Sequence, residues 1–233
     1  KNNLKTKLIG LTGGEPFMNP YIMDILKYLL ENRFKVLVLS NGMRPMKIKF
    51  KELLSLPNLN KLTIRISVDH FKKKRHESIR GSNTWKQVIK NLIWLSNNGL
   101  NLNIAAKIKH GDTENSMRQG FYKLFKRIKL RIDSFNKNEL VLFPIMNYTE
   151  ASTEITEDCW KILNKSPESV MCSNSRMIIK RKDEVNLKVL PCTLITKDKE
   201  FELGSDLVSS KKKVFLNHPF CSQFCVLGNS SCS

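Results

Sequence analysis

Cysteine is missing from the first 158 of the 233 residues; all six (159, 172, 192, 221, 225 and 232) fall in the last third. A disulfide-stapled miniprotein distributes cysteines through a short chain, so that class is excluded. Glycine and proline are scarce, at 10 and 8 residues, which rules out collagen-like and low-complexity chains. No uninterrupted apolar stretch approaches the roughly 18 residues a membrane helix requires. The opening Lys1-Asn2-Asn3-Leu4 shows no secretory pattern, so the expected partners exclude a membrane and the expected location is the cytoplasm. An initiating methionine is absent too, as expected of a piece of a longer chain. What remains is ordinary: 41% hydrophobic and 26% charged residues, enough for one domain and a small appendage.

Negative charge is in short supply. Forty Lys+Arg face 21 Asp+Glu, a net +19, and residues 1–150 hold 28 of the basic and 11 of the acidic side chains. Basic runs stand at Lys72-Lys73-Lys74-Arg75, at Lys123 to Arg131 and at Lys211-Lys212-Lys213. Such a field attracts RNA, an acidic peptide or an anionic cofactor. Yet 30 of the cations are lysine rather than the fork-shaped arginine, and no run interleaves aromatics as a base-stacking platform does. A solvated basic surface is the favoured reading, and nucleic acid is the less favoured partner.

The first 145 residues alternate strand and helix signals. Apolar runs at 7–12, 36–40, 62–68, 102–107 and 140–143 read as strands. Ile22, Ile25, Leu26, Leu29 and Leu30 stripe one helix; Val88, Leu92 and Leu95 stripe another, with Gly99 as its C-cap; Phe121, Leu124, Phe125 and Ile128 stripe a third. Pro45 and Pro57 confine any helix between the runs at 36–40 and 62–68 to the middle of that connection. Strands separated by helices predict a parallel α/β sheet with its chemistry at the carboxyl ends of the strands. Beyond Thr149 the texture becomes polar, with a short helix near 157–163 and then turns, β-like pieces and cysteines. The expected domains are 1–150 and 151–233.

The strand ends carry unusual residues. Thr12-Gly13-Gly14-Glu15-Pro16 follows the first strand, where two glycines let backbone approach a ligand and Glu15 can receive a cation. Ser40-Asn41-Gly42 follows the second and Ser67-Val68-Asp69-His70 the third, with His76-Glu77-Ser78-Ile79-Arg80-Gly81 preceding the next helix. Singly each is an ordinary polar turn; their order is the signal.

That order closely resembles the radical S-adenosylmethionine (SAM) superfamily, over residues 7 to about 145. The resemblance implies a partial (β/α)6 TIM-like barrel lacking its first βα unit. It implies that Gly13, Gly14, Glu15 and Pro16 cradle the SAM amino group, with Ser40 and Asn41 beside the ligand. Ser67 would contact the ribose near Asp69, and Arg80 would pair with the carboxylate. Phe143 or Ile145 would line the adenine pocket or simply pack the core. The family's cofactors are SAM and a [4Fe–4S] cluster. Cluster-driven reductive cleavage of SAM gives a 5′-deoxyadenosyl radical that abstracts hydrogen from a substrate, with electrons from a donor such as a flavodoxin or ferredoxin. The family's Cys-x-x-x-Cys-x-x-Cys stands upstream of Gly-Gly-Glu-Pro; here the 12 residues before Gly13 contain none. The cluster cysteines are therefore expected upstream of this chain, and no catalytic ligand within it.

The tail resembles the auxiliary-cluster regions of SPASM/twitch-type members. Cys172 and Cys192 bracket 176–190, which reads as a hairpin, and Cys221, Cys225 and Cys232 follow. The resemblance implies an auxiliary [4Fe–4S] cluster on Cys172, Cys192, Cys221, Cys225 and Cys232. Zinc is the runner-up, since four thiolates also suit a tetrahedral structural site, and plain buried cysteines are the third reading. Cys159, beside Trp160, reads as core, and His218, His70 and His76 receive no catalytic assignment. By analogy with these relatives the substrate is a peptide or protein. A nucleic-acid enzyme or binder using the basic barrel, and a degenerate non-catalytic scaffold, are the alternatives.

Overall fold

The computed structural model describes residues 5–146 and 154–228, in two compact units, Lys1–Phe143 and Pro144–Ser233. Strands β1 (Leu8–Leu11), β2 (Lys35–Ser40), β3 (Leu62–Ser67), β4 (Asn101–Lys107) and β5 (Leu140–Phe143) build the first unit. They form one sheet in the order β1-β2-β3-β4-β5, every neighbouring pair parallel. The helices between them are α1 (Ile22–Glu31), α2 (Arg44–Lys47), α3 (Phe50–Leu54), α4 (Lys73–Arg80), α5 (Thr84–Asn97) and α6 (Glu114–Arg127). This is the α/β partial barrel expected from the sequence.

Strand alternation divides the side chains between two faces. Val36, Val38, Leu62, Ile64, Ile66, Ile104 and Leu142 belong to one core with Leu26, Leu30, Leu92, Leu95 and Phe121 of the helices. Leu37, Leu39, Arg65, Ser67, Asn103 and Ala105 take the opposite face. The connection between β2 and β3 holds only the short α2, with Pro45 in its first turn, and α3, which ends before Pro57.

Helix α4 departs from expectation. The segment 76–81, read as a lead-in to the next helix, instead completes a helix of its own that Gly81 ends at φ 93°. His76 is its buried residue; no apolar stripe docks it. It is held by charge: Arg80 pairs with Asp69 at the end of β3, and Arg75 with Asp112 beyond β4. His76 adds an edge-on contact to Trp85 of α5, ring centroids 5.5 Å apart.

The turn after β2 is pressed against the core. Gly42 has φ 71°, and a Cβ there would stand 2.8 Å from Ile66 Cγ2, so glycine is required twice over. Its carbonyl accepts a 2.7 Å hydrogen bond from the buried Asn91 side chain of α5.

In the second unit, α7 (Asp158–Ile162) and α8 (Met171–Asn174) precede an antiparallel hairpin of β6 (Met177–Ile179) and β7 (Lys188–Leu190). The hairpin falls where Cys172 and Cys192 bracket the chain. Residues 221–226, within the segment read as turn-rich, form a π-helix whose Phe224 is fully buried. Among the described residues, no helix is long and apolar enough to cross a membrane.

Candidate functional site

The turn leaving β1 is built around the Glu15 carboxylate. Oε1 accepts from the Ser40 hydroxyl at 2.9 Å and from the Phe17 amide at 3.2 Å, and Oε2 accepts from the Asn41 amide at 2.8 Å. Ser40 Oγ in turn accepts from the Gly42 amide at 3.0 Å. Glu15 thus caps the short turn Pro16–Met18 and ties it to the end of β2. The structure brings Glu15, Ser40 and Asn41 together through one carboxylate. A carboxylate offers about four acceptor positions, of which three are used here. Gly13 (φ 137°) and Gly14 have nothing within 4 Å of a Cβ built on them, so bare backbone faces open space beside that charge. This arrangement suits an ammonium group.

Ser67 ends β3 on the face away from the helices, in register with Ala105. Asp69, buried two residues on, takes Arg80 through Nε and, at 3.4 Å, through Nη2. Arg80 therefore reaches the strand ends already engaged. Its Nη1 makes no hydrogen bond among the described residues and is left to bind an anion. Phe143 ends β5, half-buried, whereas Ile145 belongs to the second unit.

His70 has a partner 42 residues further along the chain, Asp112, which no local pattern marks. His70 Nδ1 accepts the Lys72 amide at 2.8 Å, which places the ring proton on Nε2, 3.5 Å from Asp112 Oδ1. Burial lowers the His70 pKa, and Asp112 opposes that shift without reversing it. The ring stacks on Phe71, which packs where a Cβ on Gly120 would stand 2.4 Å away. His70, Arg75 and Asp112 thereby clamp the start of α4. Asp112 lies 37 residues after Arg75, and no local pattern marks such a pair.

In the second unit, Cys172, Cys192, Cys221 and Cys225 line one apolar cavity of about 20 Å³, walled by Met171, Ile195 and Phe220. Cys232 lies outside the described residues. Burial raises the Cys172 and Cys192 thiols, and pushes Cys221 up to about 11 with Cys192 and Cys172 adding to the shift. The Leu194 and Ile195 amides oppose this at Cys192 by bonding its sulfur. A metal ion would reverse the balance by taking thiolates. Among the described residues, no group of three or more His, Cys, Asp or Glu stands at metal-holding distances. The four thiols share a cavity without yet closing on a centre. Cys159 stands apart, half-buried, its sulfur 3.7 Å from the Thr156 hydroxyl. His218 is buried, its Nδ1 accepting the Phe220 amide at 3.0 Å.

A parallel α/β sheet with polar, glycine-bearing turns at its carboxyl ends defines a barrel-type ligand-binding fold. The Radical SAM superfamily model matches residues 1–119, and the chain belongs to that superfamily. It is 33% identical over 99 residues to the antilisterial bacteriocin subtilosin biosynthesis protein AlbA of Bacillus subtilis (strain 168). The match covers 42% of this chain and 22% of AlbA, so it spans about a fifth of that relative's length. Similar solved structures include Streptococcus suis SuiB bound to S-adenosylmethionine, with TM-score 0.49 and 15% identity over 66% of this chain and 34% of SuiB. Archaeal TYW1 is also similar, with TM-score 0.39 and 21% identity over 53% of this chain and 40% of the other.

The superfamily implies SAM and a [4Fe–4S] cluster. SAM fits the residues present, since the Glu15 carboxylate and open glycine backbone suit its ammonium and Arg80 Nη1 suits its carboxylate. The catalytic cluster does not, because residues 1–158 contain no thiol to ligate it.

Proposed function

We propose that this chain is the SAM-holding part of a peptide-modifying radical SAM enzyme, with a metal centre in its second unit. The observation that carries the reading is the Glu15 carboxylate, fixed by Ser40 and Asn41 beside the bare backbone of Gly13 and Gly14. In this reading Glu15 and the glycine carbonyls hold the SAM ammonium, and Ser67 reaches the ribose. Arg80, aligned by Asp69, holds the carboxylate. SAM, once bound, is the source of the deoxyadenosyl group that takes hydrogen from a substrate. A flavodoxin or ferredoxin is the proposed electron donor. A peptide substrate is supported by the likeness to AlbA, whose name assigns it to the biosynthesis of a bacteriocin.

The four cysteines around one cavity support a thiolate-bound centre in the second unit. An auxiliary [4Fe–4S] cluster is the first reading. Zinc is the second, favoured by a cavity of about 20 Å³, close to the space one water takes.

Calorimetric titration with SAM tests the first unit. One-to-one binding, weakened about tenfold by Arg80→Gln through loss of a charge-assisted contact, is expected. No heat at millimolar SAM, or equal affinity in the variant, refutes it. Anaerobic reconstitution with iron and sulfide in parallel with zinc, followed by metal analysis, tests the second. Iron and sulfide retained at cluster stoichiometry and lost in Cys192→Ser support the cluster; one zinc replaces it with the second reading. Neither metal retained refutes both.

A further inference from the structure

Beside the four-cysteine cavity lies a second and larger one, of about 360 Å³, which no function described so far uses. Its volume falls within the range of about 300–1,000 Å³ typical of small-ligand sites. Arg176, Lys212 and Lys213 line it, and its lining includes no carboxylate. Trp160, Val170 and Leu216 form an apolar wall, and Ser173 adds a hydroxyl. The basic run at 211–213, which could have been an idle solvated face, here meets an arginine from a separate part of the chain.

Arg176 is fixed in place. Its Nη1 donates to the carbonyls of Cys172 and Ser175, each at 2.7 Å, and its Nε donates to that of Ser210 at 3.0 Å. Nη2 carries no such bond among the described residues, so its two N–H donors remain for a ligand. With Nε and Nη1 both committed to backbone carbonyls, neither two-nitrogen fork is free, and the guanidinium meets an anion through Nη2 alone. The two lysines are point charges on flexible stems, able to follow an anion that Arg176 holds. The indole and valine wall would cover the methylenes of an acidic side chain.

We propose that this cavity binds the carboxylates of an acidic segment of the peptide substrate. The proposal rests on the peptide reading of the enzyme. Cys172, Val214 and Leu216 line both cavities, so a segment held there would lie directly against the cysteine site. Arg176 would anchor the segment, and Lys212 and Lys213 would neutralise its charge.

The test is binding of a blocked Ala-Glu-Glu-Ala tetrapeptide to the full chain, read by Trp160 fluorescence, with Trp160→Phe identifying the signal. The expected result is saturable binding that weakens with salt and is at least tenfold weaker for the matched Gln peptide. The Lys212→Gln/Lys213→Gln double variant should bind about five- to tenfold more weakly, within the span that two exposed charge pairs contribute. Both lysines are exposed, so the fold is retained, and circular dichroism checks it. Equal binding of the Gln peptide, wild-type affinity in the double variant, or a Trp160 response to inorganic phosphate but not to the Glu peptide overturns the proposal. Should the Glu peptide bind as expected while the complete enzyme modifies no peptide, the carboxylate site stands and the peptide reading alone fails.

Discussion

Replacing Glu15 by glutamine should loosen one identifiable bond at the heart of the cradle. Glutamine keeps a carbonyl oxygen that can still accept from Ser40 and Phe17. The other carboxylate oxygen becomes an NH₂ group facing the Asn41 amide, donor against donor, so the 2.8 Å bond is lost. Hydrogen bonds to charged groups contribute about 1.5–3 kcal/mol, and half-exposure of Glu15 places this one near the lower value. About 1.5 kcal/mol corresponds to roughly tenfold faster exchange of the Asn41 amide and a fall of about 3–6 °C in the melting temperature for a chain of this size. Hydrogen exchange resolved at residues 40–42 reads the first number directly. Asn41→Ala is the control: the donor is backbone, so that variant keeps the Glu15 bond and forfeits only the 2.9 Å contact from its side chain to the Met43 amide. Unchanged Asn41 exchange in Glu15→Gln would refute the claim that this carboxylate joins β1 to β2.

Two further outcomes follow from the geometry. Gly13→Ala forces a side chain onto φ 137° and should cost about 1–3 kcal/mol in thermal stability, whereas Gly14→Ala meets only open space and should fold normally while weakening SAM binding; equal melting temperatures for the two would contradict the backbone reading. Burial lowers the His76 pKa below 6.5, so its contribution to stability is complete above pH 6.5 and is lost as pH falls through the folded value. The melting temperature should therefore drop between pH 7.5 and 5.5, and His76→Gln should flatten part of that slope, the remainder belonging to the similarly lowered His70 and His218; an unaltered slope counts against it.

The sheet was legible because its strands are apolar runs and its long helices carry apolar stripes. The runs at 36–40, 62–68 and 140–143 lie within one residue of β2, β3 and β5. Helix α4 was not, and the reason is physical. Periodicity detects burial of hydrocarbon, while this helix buries a histidine and is tied down by two half-exposed arginines paired with buried aspartate side chains. The π-helix at 221–226 hid among turn-forming residues for a different reason: its packed side is Ser222, Phe224 and Val226, an every-second-residue spacing that no α-helical stripe shows. At the cradle, sequence order indicated Gly13 to Glu15, Ser40 and Asn41, but not that one carboxylate joins them. Glu15 and Ser40 are 25 residues apart, and their contact exists only once two strands are paired.

The bond from Asn91 to the Gly42 carbonyl spans 49 residues and bears on how this protein comes to be. The loop that carries Asn41 is held by a helix made long after it. A nascent chain that has emerged as far as residue 80 holds the segments of β1, β2 and β3, yet lacks the α5 side chain that secures this turn. Contacts so distant in sequence pay their loop-closure entropy before they return any stability. Cradle formation is thus a late event, and ligand present during synthesis would meet a finished site only after α5 has docked.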